Sequence, residues 1–117
     1  MQLNKYVEWT GNTCASLDSK LMDDLHMLLG LATEIGELQD VYKKHIAYGT
    51  SLDVVNIKEE VGDIMFYVAS FCRMNHFDLE KILETNRLKL ESRYPNKFSS
   101  KNALNRNLEK ERDILEK

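Results

Sequence analysis

Two pairs of acids, each spaced three residues apart, are where this sequence could do chemistry: Glu34-Ile35-Gly36-Glu37 and Glu60-Val61-Gly62-Asp63. On a helix, residues three apart stand almost one above the other, so each pair can aim two carboxylates at one point. At about 100° per residue, Glu34 falls between Leu38 and Val41, and Glu60 between Ile64 and Tyr67, inside apolar arcs. Glu37 and Asp63 fall at the edges of the same arcs. An ionised acid on a core-facing stripe is costly unless it is paired or binds a metal. The repetition of this pattern implies that the two pairs face each other.

Such crowding needs a counter-charge. Two unit charges ~4 Å apart repel by about 4 kcal/mol at an effective dielectric of ~20. Without a cation, one or more of the acids should take up a proton. Every candidate ligand is a hard oxygen, so Mg²⁺, or Mn²⁺ in its place, is expected rather than zinc or copper. Magnesium usually keeps positions open for substrate phosphates, which suits a phosphate-ester hydrolase. A single Glu-x-x-Glu is usually a solvated helix face. Two pairs, each with its first acid inside an apolar arc and a Gly between the acids, are much rarer. Gly36 and Gly62 each cost ~1 kcal/mol in a helix, which suggests close helix approach there, although plain packing accounts for them equally. A di-iron carboxylate bundle needs Glu-x-x-His motifs, and none of His26, His45 and His76 stands three residues after a Glu.

Basic residues follow further on. Asn86, Lys89 and Arg93 share one helical face at three- and four-residue steps. They could clamp a triphosphate, Arg93 as a planar fork and Lys89 as a point charge. A basic stripe near a helix C-terminus can equally complement the helix dipole. Lys44 lies near Glu37 and Asp40 on the helix surface and either pairs with Asp40 or reaches a phosphate. Tyr42 and His45 fall on the apolar arc and are expected to pack. Tyr6, Trp9 and His26 could stack on a base, but burial in a core or interface is the expectation for each.

Helices must position these groups. The first is expected over about Leu3–Leu17, interrupted by Gly11 and Asn12. A second starts near Asp18 or Ser19 as N-cap and runs to Tyr48, where Gly49 supplies a left-handed stop. A third follows Ser51-Leu52-Asp53 and continues to about Asn75, with Val54, Ile57, Val61, Ile64, Val68 and Phe71 recurring every three or four residues. Asp78 caps a fourth, which ends before Pro95. No segment alternates like a strand. The expected fold is therefore all-α: an antiparallel helical bundle of about four helices over residues 1–98, joined by short connections. Residues 99–117 form a polar tail whose thin stripe, Leu104, Leu108 and Leu115, docks on a partner subunit or frays.

The bulk numbers agree. A chain of 117 residues, 43% hydrophobic and 30% charged, fits one domain with its own core. Five Gly and one Pro favour long helices. A formal net charge of −3 counts against a nucleic-acid polymer as partner, which would call for a basic face, but not against free nucleotides. Cys14 and Cys72 make neither a disulfide framework nor a zinc site. No apolar run approaches the ~20 residues that span a bilayer, and no signal peptide is evident, so no membrane partner and a cytoplasmic location are expected.

These residues also match a known pattern. Gly30-Leu31-Ala32-Thr33-Glu34-Ile35-Gly36-Glu37-Leu38, followed by Lys43-Lys44, resembles the first motif of the MazG-like all-α NTP pyrophosphatases. Glu59-Glu60-Val61-Gly62-Asp63 with Phe66-Tyr67 is similar to their second motif, and the run from Asn86 to Phe98 to their Asn-x-x-Lys-Leu-x-x-Arg-Tyr ending. The resemblance covers about residues 20–98. It implies hydrolysis of an NTP or dNTP to the monophosphate and pyrophosphate, in nucleotide housecleaning or pool control. It also implies a homodimer or homotetramer with active sites near the subunit interface. Glu34, Glu37, Glu60 and Asp63 would bind Mg²⁺, while Lys44, Asn86, Lys89 and Arg93 would face the phosphates or sugar. The alternatives are a narrower dUTPase-like or phosphoribosyl-ATP pyrophosphohydrolase-like enzyme, and a helical interaction module that kept the scaffold without the chemistry.

Overall fold

A side chain bonded back to the backbone starts each long helix. Ser19 accepts from the Met22 N–H, Asp53 from the Asn56 N–H and Asp78 from the Lys81 N–H, which satisfies one of the orphan donors of a first turn in each case. In the computed structural model, which describes residues 1–117, the chain is 76% helical with no strand. The helices are α1 (Leu3–Trp9), α2 (Lys20–Tyr48), α3 (Val54–Met74), α4 (Leu79–Arg93), α5 (Ser100–Leu104) and α6 (Leu108–Glu116). The all-α expectation holds.

The first helix is shorter than its pattern suggested. It stops at Trp9 and passes through a 3-10 turn, Thr10–Asn12, in which the Thr10 hydroxyl bonds back to the Val7 carbonyl at 2.6 Å. A hydroxyl that offers the backbone a local partner competes with helix continuation, and Gly11 lies against the Arg73 side chain. At the far end of α2, Gly49 takes φ 72° and donates its N–H to the His45 carbonyl, as expected of a left-handed cap.

Two compact units share the chain, Met1–Phe77 and Asp78–Lys117. In the first, α2 and α3 are the principal packed pair, and α1 lies on α3. The pair is pinned at one end by Asn75, the cap of α3. Its side-chain amide donates to Asp24 at 2.9 Å, and its oxygen accepts from Lys20 at 2.6 Å. One turn short of Glu34, Gly30 receives the Tyr67 ring: a Cβ there would lie 2.6 Å from Tyr67 Cδ1. The close approach expected at Gly36 and Gly62 is absent, since a Cβ at either would meet nothing within 4 Å in this chain. Helix contact is made nearly two turns earlier on α2, at Gly30, where an aromatic ring needs the room.

In the second unit α4 packs with α6. The leucine stripe of the C-terminal segment stays exposed, Leu104 at 84%. A buried charge holds α6 instead: Glu111 is 4% exposed and bonds both Arg93 of α4 and Arg106.

Candidate metal centre

The α2–α3 pair brings the sequence-derived acids together. One carboxylate oxygen each from Glu34, Glu37 and Glu60 lies within 4.8 Å of the others, and the same holds for Glu59, Glu60 and Asp63. Glu60 belongs to both groups and is 6% exposed. Glu34 is half-buried opposite it. The four acids expected at the site therefore meet through Glu60, and Glu59 joins them. Glu59 is adjacent in sequence rather than three residues away, so the Glu-x-x-Asp spacing did not single it out.

Electrostatics register the crowding. The Glu34 carboxyl is pushed up to about 7, first by a hydrogen bond to Glu60 that needs its proton, then by burial, then by the charges of Glu37, Asp63 and Glu60. One buried oxygen on Glu34 and one on Glu60 have no hydrogen-bond donor. Buried acceptors without donors can be satisfied by a proton or by a cation. An all-oxygen set of this kind fits a hard divalent ion such as Mg²⁺ or Mn²⁺.

Two cavities adjoin the acids. The first, about 380 Å³, is lined by Glu37, Asp40, Val41, Lys44, Thr50, Ser51 and Asn56. Lys44 pairs with Asp40 at 2.8 Å within it, and Lys43 reaches the same carboxylate at 3.3 Å. The ion pair weighed for Lys44 is thus formed, and its ammonium still borders the space beside Glu37. His45 is exposed and places Nδ1 2.5 Å from the Thr50 carbonyl, and Tyr42 is 44% exposed. Neither packs within this chain as expected.

The second cavity, about 320 Å³, is lined by Met1, Leu3, Tyr6, Gly62 and Met65. Tyr6 is half-buried and stacks on Trp9 with ring centroids 5.7 Å apart. Its phenol is pushed up by burial and then by the charge of Asp63, so α1 puts an aromatic ring beside the acids. Sequence spacing held no signal for this, because α1 shares no repeat with α2 or α3.

Asn86, Lys89 and Arg93 lie on α4 in the C-terminal unit, all half-buried. Arg93 is committed to Glu111, through Nε at 3.0 Å and a second guanidinium nitrogen.

The family model for the MazG nucleotide pyrophosphohydrolase domain matches residues 23–98. That span takes in both acid pairs, Lys44 and the Asn86–Phe98 run, and leaves out α1, α5 and α6. No curated protein and no solved structure matches the chain.

Proposed function

The chain belongs to the MazG nucleotide pyrophosphohydrolase family, and from that premise we propose that it is a Mg²⁺-dependent hydrolase of nucleoside triphosphates. An NTP or dNTP and water give the monophosphate and pyrophosphate. The observation that carries this reading is the pair of buried, donor-less oxygens on Glu34 and Glu60, set among Glu37, Glu59 and Asp63.

In this reading Glu34, Glu37, Glu60 and Asp63 hold the metal, with Glu59 available as a further oxygen ligand. A divalent ion there supplies positive charge that offsets both the carboxylates and the phosphate oxygens. Water attacks the α-phosphorus, a P–O bond forms, and the bond from that phosphorus to the bridging oxygen breaks. Pyrophosphate leaves with the bridging oxygen. A carboxylate of the cluster takes a proton from the attacking water. Lys44, Asn86, Lys89 and Arg93 bind the phosphates or sugar. The apolar cavity between Tyr6 and Met65 receives the base.

We propose further that the protein acts as a homodimer or homotetramer. Only Met27 of α2 is buried, while Leu21, Leu25, Leu28 and Leu29 are exposed along it. A chain of this length ordinarily buries roughly two-thirds of its surface on folding, and a second copy laid on α2 would supply what is missing. No helix is long and apolar enough to cross a membrane; a cytoplasmic setting belongs to the same proposal.

The test is release of phosphate in a pyrophosphatase-coupled assay over standard and modified NTPs and dNTPs, with and without Mg²⁺. Turnover that needs the metal and is lost in Glu60→Gln supports the reading. No turnover of any triphosphate by the parent protein overturns it.

A further inference from the structure

The C-terminal unit contains a group of charges that the acid cluster does not explain. Glu111, 4% exposed, sits between two guanidinium groups. Arg93 reaches its Oε1 through Nε at 3.0 Å and through a second nitrogen, and Arg106 reaches Oε2 at 3.0 Å and Oε1 at 3.3 Å. Their bonds hold the Glu111 carboxyl below the usual range, Arg106 more than Arg93. Arg106 spends Nε and one terminal nitrogen on this contact and keeps the other terminal nitrogen, whereas Arg93 is engaged further by Tyr94, whose ring lies 5.7 Å from its guanidinium carbon. A third cation, Lys110, lines the same cavity of about 250 Å³ with Ser92, Asn102 and Asn105.

Three cations around one buried anion leave an excess of two positive charges in one concavity, within a chain whose net charge is −3. The excess is local and not a consequence of composition. Concentrated charge of one sign in a cleft attracts its counter-ion, and a guanidinium held by a buried carboxylate keeps its remaining N–H donors in a fixed direction for an oxyanion to accept. The cavity is smaller than the roughly 300 Å³ at which pockets for drug-sized ligands begin. Its occupant is therefore small.

We propose that this cavity is a binding site for a phosphate-class oxyanion, with Arg106 and Lys110 as its principal ligands, Arg93 as a third, and Glu111 as the residue that orients the two arginines. The proposal deepens the hydrolase reading at one point, Arg93, and adds to it two residues outside the matched family span. Both a free pyrophosphate and the phosphate chain of a nucleotide carry the required chemistry.

Calorimetric titration of the full-length protein in EDTA at low salt, with pyrophosphate in one arm and a metal-free nucleoside triphosphate in the other, tests it. At least one ligand is expected to bind, less tightly as salt is added. Lys110→Ala should weaken that binding about three- to tenfold, as for loss of one charged contact. Lys110 forms no ion pair in the structure, so this variant should fold as the parent does, which its melting curve will check. Arg106→Ala should weaken binding further. Binding by the triphosphate alone, still reduced in Lys110→Ala, identifies a nucleotide's phosphates as the occupant and supports the site. No binding of either ligand at millimolar concentration overturns the proposal, as does parent-like affinity in both Lys110→Ala and Arg106→Ala. Neither metal nor turnover enters the titration, so its failure and failure of the hydrolase reading remain distinguishable.

Discussion

A carboxyl that keeps its proton near pH 7 reports on what shares its site, and Glu34 is such a group. Its folded value of about 7 lies above the ordinary 4.5, so the folded protein holds this proton more tightly than the unfolded chain does. The stability this contributes is full below pH 4.5 and is lost as pH rises through 7. Without metal, the melting temperature should therefore decline across that window, and Glu34→Gln should flatten the decline. A divalent ion must displace the same proton, so metal affinity should rise by roughly tenfold per pH unit below 7 and level off above it. Calorimetry in buffers of different ionisation enthalpy will show whether one proton is released. At this scale the sequence was informative where spacing carried the signal. Glu34, Glu37, Glu60 and Asp63 were legible because acids three apart fell in apolar arcs. Glu59 and Tyr6 were not, because one is a sequence neighbour and the other comes from a helix with no matching pattern.

The elements place these groups by contact between α2 and α3, and the contact is a ring against a glycine. Gly30→Ala would drive a methyl into the Tyr67 ring. It should cost about 1–3 kcal/mol in denaturant unfolding, as overpacking does, and loosen the carboxylate cluster one turn away. Gly36→Ala meets nothing within the chain. It should be neutral or stabilise by about 0.5–1 kcal/mol from helix propensity, unless a second copy covers that face. Asp53→Ala removes the side-chain cap of α3 and should cost about 1 kcal/mol in the same measurement. Helix ends were legible because caps have chemical signatures: Ser19, Asp53, Asp78 and Gly49 all stand where their side chains or lack of one implied. The end of α1 was not, because its stop at Trp9 depends on the Thr10 hydroxyl and on the Arg73 side chain, 63 residues away, that bonds it. The glycines between the acids misled for a related reason: a helical Gly signals room without saying what fills it.

For the whole molecule, the deficit is apolar burial. The buried apolar residues are Val7, Met27, Ala69, Cys72 and Leu79, while Leu21, Ile46 and Val55 are each at least 75% exposed. Periodicity put Val54 and Val61 on one apolar stripe, yet they are 57% and 49% exposed: it cannot say whether a core belongs to one chain or to two. Light scattering after gel filtration should give a mass of two or four chains, and Leu25→Glu with Leu28→Glu should lower it; a monomeric parent protein would contradict the proposed assembly. The C-terminal segment shows the same limit. Its leucine stripe, expected to dock on a partner subunit or fray, is exposed in the single chain, and Glu111, a single acid in a polar run, ties the segment to α4.

The most direct measurement is Mn²⁺ titration followed by electron paramagnetic resonance at pH 8, on the parent protein and on Glu60→Gln. The parent should bind the ion at the acid cluster, with Mg²⁺ competing for the same site, and Glu60→Gln should bind it at least about tenfold more weakly. Equal affinity in the two proteins, with equal competition by Mg²⁺, would contradict a metal centre built around Glu60.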